Sequence, residues 1–254
     1  VDLTVVGAGR IGHVFAEGAR RAGGQVALVT REEGRAAIEE PGGEGPIVVA
    51  VREEHLPDLV PRIHASQGPR LVFVQNGFIG EWMDRAGATG RGLLHFNAAK
   101  DGTVRVLLPS VFGGGEAARE AGLVLEQGGI PARYEPDMDR LRIEVIRKAL
   151  WSCVLSILAA WKRVPVGELF RRFGAEVEAL TRECAEVSAA VFAVEVDVSD
   201  LLDSLRKMAS ALPDYGGSSG ARDFRSLWIV RNARERGLRT PVNDRMLREL
   251  GERE

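Results

Sequence analysis

Two groups of residues in this 254-residue chain combine type and spacing in a way that could do chemistry. The first is Gly7-Ala8-Gly9-Arg10-Ile11-Gly12, directly after the apolar run LTVV. In G-x-G-x-x-G the first glycine allows a tight turn. The second lets a pyrophosphate approach the backbone, and the third permits close packing of a helix on a strand. The helix that opens there offers unpartnered N–H groups and a partial positive charge, so the chemistry is anion binding. The alternative is a plain strand–helix turn in an unrelated α/β fold.

The second group is Lys148, Ser152 and Ser156, the only polar residues in KALWSCVLSILAAW (148–161). A segment apolar nearly all round is a helix buried on most sides. Positions i, i+4 and i+8 fall on one line of it, and a buried polar line needs partners, either another element or a polar cleft. Lys occupies only four of the 34 Lys and Arg positions, yet it stands at 148 beside Arg147. An ammonium is a compact donor whose pKa falls on desolvation, whereas a guanidinium stays charged. That favours a proton-donating role, set against an ordinary helix-surface ion pair with Glu144 four residues earlier.

The elements that must position these groups are of two kinds. Short Val-rich runs at 3–6, 25–29, 46–51 and 70–74 read as buried strands, separated by helix-like stretches around 10–22, 33–40 and 56–66. Strand–helix–strand in repetition predicts parallel strands with right-handed crossovers. GLLHF (92–96) and TVRVLLP (103–109) flank Lys100-Asp101-Gly102, a turn signal that predicts a hairpin. A further helix is expected over 116–127, and Tyr134-Glu135-Pro136 closes the strand-bearing part. The stretch from Met138 to Val164 contains neither Gly nor Pro, and helices are expected near 174–193, 198–211, 222–236 and 242–250. The expected fold is an α/β Rossmann-type dinucleotide-binding domain over 1–136 followed by an all-helical domain over 137–254.

Which dinucleotide binds depends on the end of the second strand, Val29-Thr30-Arg31. An acid there suits NAD, by bonding the ribose hydroxyls. Arg31 suits the 2′-phosphate of NADP instead, through a two-pronged guanidinium contact, although Glu32 and Glu33 follow at once. Arg52, after the third strand, is a second phosphate contact or an exposed loop residue.

Composition excludes other classes. Net charge is −2 and neither half concentrates one sign, so no nucleic-acid or anionic-membrane partner is expected. His13, His55, His64 and His95 are scattered and there are only two cysteines, Cys153 and Cys184, so no metal site and no disulfide framework is expected. No signal-peptide pattern or membrane-spanning run is read, so a cytoplasmic setting is expected. Gly-Lys-Ser/Thr and His-Glu-x-x-His are absent from the sequence, and its Gly-x-Ser-x-Gly match, GGSSG (216–220), reads as a flexible insert in the helical part and not as a nucleophile elbow.

The pieces together resemble the ketopantoate reductases (2-dehydropantoate 2-reductases), and the resemblance runs over most of the chain. It rests on V-V-G-A-G-R-I-G, V-x-R at 29–31, Gln75-Asn76-Gly77, the helix 146–161 with Gly167-Glu168-Leu169 after it, Ser210-Ala-Leu-Pro-Asp214, and Asp223 to Pro241-x-N. It implies NADP(H) as cofactor, held by Gly7, Ala8, Gly9, Arg10, Ile11, Gly12 and Arg31. Asn76 would lie beside nicotinamide and substrate. Lys148 falls on the family's catalytic lysine, and Ser152, Ser156 and Ser210 fall on substrate-binding positions. The implied reaction is NADPH-dependent reduction of a small 2-oxo acid, with the helical domain closing over the cofactor; such a domain would also allow a homodimer.

Two departures stand out. Family members carry Asn where this chain has Ser152 and Ser156, and a catalytic Glu where it has Ala221. Asp214 or Asp223 is the nearest carboxylate that could compensate. The departures leave two other readings: an NADP-binding homologue with lost or altered activity, and a dehydrogenase acting on another substrate such as an imine or a sugar acid.

Overall fold

The computed structural model describes residues 1–30, 44–218 and 225–251. The expected helix at 33–40, together with Arg31, Ala221 and Asp223, lies outside them. The chain divides into two compact units, Val1–Leu141 and Arg142–Glu254.

The first unit is a Rossmann-type α/β unit built on a seven-stranded sheet of order β2-β1-β3-β4-β5-β8-β9. Strands β1 (Leu3–Val6), β2 (Val26–Val29), β3 (Ile47–Val49), β4 (Leu71–Phe73) and β5 (Gly90–Leu93) run parallel. β8 (Ser110–Gly113) joins β5 antiparallel, and β9 (Ala132–Glu135) joins β8 parallel. The chain steps from β1 to β2 on one side and returns to β3 on the other. This reversal opens a crevice at the carboxyl ends of β1 and β3, the place where such sheets bind ligands. The helix Arg10–Arg21 buries Phe15, Ala16 and Ala19. Phe15 meets Phe112 edge-on at 6.3 Å between ring centroids.

The expected strand at 92–96 is in fact two. Gly90–Leu93 stays in the main sheet, and the chain then bends so that β6 (Phe96–Ala98) pairs antiparallel with β7 (Val104–Val106). The bend at His95 is held from a distance: its N–H donates to Ser110 Oγ at 3.2 Å, and its carbonyl accepts from Leu107 N at 2.8 Å. The Asp-Gly turn forms as expected, with Gly102 at φ +86°. The expected helix at 56–66 is cut down to one short α-helix, Leu56–Leu59, between the 3-10 turns Glu53–His55 and Val60–Arg62. Pro61 explains the break, because it lacks the N–H that a continuing helix needs and its ring crowds the preceding turn.

The second unit is all-helical among the described residues. The stretch entered at Met138 runs as α-helix to Leu150, widens into a π-helical segment over Trp151–Ser156, and resumes as α-helix over Ile157–Lys162. It ends where Arg163 takes a left-handed conformation, φ 55°. The helix Gly174–Phe192 packs against Val198–Ala211, Ser226–Glu235, Pro241–Gly251 and the π segment. One buried acid organises this junction. Glu183 accepts from Val242 N at 2.7 Å, Asn243 N at 3.0 Å and Asn243 Nδ2 at 2.8 Å, and so caps the helix Pro241–Gly251. A carboxylate accepting N–H bonds at a helix N-terminus also opposes the positive end of the dipole. Cys153 and Cys184 are both free and buried. A hydrogen bond with the neighbouring Cys153, and then burial, push the Cys184 thiol well above the usual range.

Candidate functional site

The glycine turn sits at the carboxyl end of β1, beside the crevice. Gly7 has φ +114°, and a Cβ there would meet the Ala50 carbonyl oxygen at 2.8 Å. A Cβ at Gly12 would lie 1.9 Å from the Gly7 carbonyl oxygen. Both glycines are therefore demanded by the fold of the turn itself. Gly9 differs: its φ is −82°, and a Cβ would meet nothing within 4 Å. The structure leaves open space there, which is what the close approach of an anion requires. The helix Arg10–Arg21 has no side-chain cap and no acid in its first turn. Its N–H groups and dipole thus face the turn without a competing carboxylate. This donor set fits the pyrophosphate of a dinucleotide.

A cavity of about 920 Å³ opens along the outer side of this helix, lined among others by Gly9, Arg10, His13, Ala98 and Lys100. Arg10 Nη1 donates to the Ala98 carbonyl at 3.0 Å, tying the β6–β7 hairpin to the turn. From sequence the hairpin is only a turn signal; its place as a wall beside the glycine turn depends on that long-range bond. Arg52, at the carboxyl side of β3, is exposed and pairs with Glu54 at 3.5 Å.

Asn76 stands at the carboxyl end of β4, exposed, between buried Gln75 and buried Gly77. Gly77 takes φ +82°, so the chain turns there. Gln75 Nε2 donates to Val49 O at 2.9 Å and Val51 O at 3.1 Å, joining the turn to the end of β3. Below it lies a residue that sequence reasoning missed. Arg91, in β5, is 4% exposed. Its Nη2 donates to Gln75 O at 2.8 Å and Gly77 O at 3.1 Å, and its Nη1 to Phe73 O at 3.5 Å. Burial lowers the Arg91 pKa to about 10, against the opposing pull of Glu53, so it remains charged at neutral pH. No local signal marks it, because its partners lie 14 to 18 residues back along the chain.

In the second unit Lys148 is half-buried near the end of the α-helical part. Glu144, the alternative partner for Lys148, accepts from Arg147 Nη1 at 2.7 Å, and Arg147 also pairs with Asp200. Ser152 and Ser156 are buried within the π segment. This i→i+5 winding begins three residues after Lys148 and contains both serines. Ser156 Oγ accepts from Ser218 N at 3.1 Å and donates to Ser218 O at 3.3 Å. It anchors a strap, residues 213–218. Trp151 packs on Tyr215 with ring centroids 5.5 Å apart, and Gly167 N donates to Pro213 O at 2.9 Å. A Cβ at Gly167 would lie 2.9 Å from Pro213 Cβ, which accounts for the glycine in Gly167-Glu168-Leu169. Ser210 is exposed, and its hydroxyl donates to Arg206 O of its own helix at 2.9 Å. Asp214 is exposed on the strap.

Among the described residues no group of three or more His, Cys, Asp or Glu could hold a metal ion, and no helix is long and apolar enough to cross a membrane.

A glycine turn at the switch point of a parallel sheet, followed in the chain by a helical unit, defines the class: a Rossmann-type dinucleotide-binding fold with a helical C-terminal part. No protein-family model and no curated protein sequence matches the chain. Solved structures do. D-mandelate dehydrogenase, in a ternary structure with NADH and anilino(oxo)acetate, superposes with TM-score 0.74 at 17% identity, over 99% of this chain and 98% of that one. A PanE/ApbA-family ketopantoate reductase from Ralstonia eutropha JMP134 gives 0.73 at 20% identity, over the full length of both chains. A dimeric ketopantoate reductase from Staphylococcus aureus gives 0.74 at 16% identity, over 97% and 96%. The chain has the fold of these proteins from end to end, in agreement with the resemblance read from its motifs.

Proposed function

We propose that the protein is an NADPH-dependent reductase of a small 2-oxo acid, similar to the ketopantoate reductases that convert 2-dehydropantoate to pantoate. The observation that carries the reading is the edge of the first unit's sheet. There the ends of β1, β3 and β4 bring together an unblocked Gly9, an uncapped helix N-terminus and the exposed Asn76. In this reading Gly7 to Gly12, including Ala8, Arg10 and Ile11, hold the pyrophosphate through backbone N–H groups. Arg31 and Arg52 receive the 2′-phosphate, Arg52 by exchanging its partner Glu54. NADPH, when bound, supplies the hydride. Asn76 orients the reacting groups through its amide. Lys148 hydrogen-bonds the carbonyl oxygen and delivers the proton as negative charge develops there. Ser152 holds a polar group of the substrate. Ser156 and Ser210 do so only by releasing Ser218 and Arg206. A π segment directly after the lysine supports this assignment, since such interruptions of helices occur frequently at functional sites.

A second reading keeps the cofactor and changes the reaction: Ala221 removes the acid that the resemblance expects, leaving an NADP-binding homologue of lost or altered activity. The NADH complexes of D-mandelate dehydrogenase, one of them with anilino(oxo)acetate, add NADH to the cofactors worth testing. Two buried free thiols suit a reducing, cytoplasmic compartment. A homodimer is the assembly proposed, supported by the dimeric Staphylococcus aureus structure.

The test is oxidation of NADPH and of NADH against a panel of 2-oxo acids that includes ketopantoate. Saturable turnover of one acid with NADPH is expected. Lys148→Ala is expected to lower kcat by about 10²-fold, within the range of a lost general acid. A wild-type protein that binds NADPH but reduces no member of the panel establishes the second reading. Lys148→Ala at wild-type rate removes the lysine from the chemistry.

A further inference from the structure

We infer that Arg91 is a positioning residue: its guanidinium holds the turn at Gln75 to Gly77 and thereby fixes the direction in which Asn76 projects. The inference rests on the role given to Asn76 above. Arg91 Nη2 reaches the carbonyls of Gln75 and Gly77, the residues on either side of Asn76. Its Nη1 reaches Phe73 O at the end of β4. One rigid, planar group thus sets the peptide plane entering Asn76 and the one leaving Gly77. Gln75 completes the bracket by donating to Val49 O and Val51 O, which ties the same turn to β3. Asn76 itself is exposed, so its aim comes from the peptide planes beside it.

The chemistry of the clamp argues for a role beyond folding. Removing a guanidinium from water is costly, and an apolar residue of similar volume folds as well or better in many such places. Here the buried charge serves one turn with bonds to the carbonyls of Phe73, Gln75 and Gly77, with Glu53 as the nearby opposite charge. Lys in place of Arg keeps the charge but has a point donor where the fork spans several acceptors. Catalytic groups lose rate steeply when displaced by about 1 Å, so a loosened turn should be felt in kcat more than in folding.

The experiment uses Arg91→Lys, Asn76→Ala and the double variant, with Arg91→Met as a charge-free companion. Amide hydrogen exchange over 75–79 is read in the free protein, and kcat with the 2-oxo acid that the wild type reduces best. In Arg91→Lys, exchange over 75–79 should rise about tenfold, while β1 and its helix keep wild-type protection. kcat should fall about tenfold, with NADPH affinity by fluorescence within about twofold of wild type. On the Asn76→Ala background the same change should lower kcat by less than about twofold, because the residue through which it acts is gone. Unchanged exchange over 75–79 overturns the inference, as does a full tenfold loss on top of Asn76→Ala. Should Arg91→Met fail to fold, Arg91→Lys carries the test. A wild type that reduces nothing overturns the functional reading instead, and exchange then decides alone whether Arg91 holds the turn.

Discussion

The glycine turn of the first unit and the π segment of the second are built by opposite means. At the turn the side chains are absent: Gly7 and Gly12 leave room for backbone, and Gly9 leaves open space. At the π segment the side chains are present and already engaged, with Ser156 bonded to Ser218 and Trp151 packed on Tyr215. An anion cradle made of backbone can be ready before its ligand arrives. Hydroxyls that already hold a strap would have to exchange partners to hold a substrate.

The sharpest way to break this contrast is at Gly12. Gly12→Ala drives a Cβ to 1.9 Å from the Gly7 carbonyl, in a helix packed on its strand. A loss of about 3 kcal/mol or more in urea unfolding is expected, and a loss below about 1 kcal/mol would show that the turn can yield. Glu183→Ala tests the side-chain-built unit on its own ground. It strands three N–H donors, two of them buried on Asn243, and should cost about 2–3 kcal/mol with little change in NADPH affinity. Ser156→Ala should cost about 1 kcal/mol and raise the KM for the 2-oxo acid several-fold, because the proposed reading moves the same hydroxyl from Ser218 to the substrate. A KM near wild type would leave Ser156 as an anchor of the strap alone. The smallest effect on folding belongs to Gly9→Ala, within about 0.5 kcal/mol of wild type, because nothing lies within 4 Å of the new methyl. Yet NADPH affinity should fall by about tenfold or more if the pyrophosphate approaches there, and unaltered affinity would move the anion elsewhere.

What could be read from the sequence follows the same division. The strand–turn–helix unit from Leu3 to Arg21 is legible because its determinants are local: a Val-rich run, then glycines at the positions where backbone meets backbone. Pro61 was equally visible and marks where the expected helix at 56–66 fails. The splitting of 92–96 was not visible, since His95 is bent by bonds to Leu107 and Ser110. The π segment was hidden too. Nothing in KALWSCVLSILAAW announces extra winding, and the strap that lies on it comes 62 residues later. Arg91 reads as one more arginine among many until the fold brings the carbonyls of 73, 75 and 77 onto it.

The two sulfhydryls of the helical unit give that unit a reporter of its own. Cys153 and Cys184 lie on different helices, shielded from solvent, and the first unit holds no cysteine. An alkylating reagent therefore marks the chain only when the C-terminal helices come apart, so the speed of labelling clocks their opening in an unmodified protein.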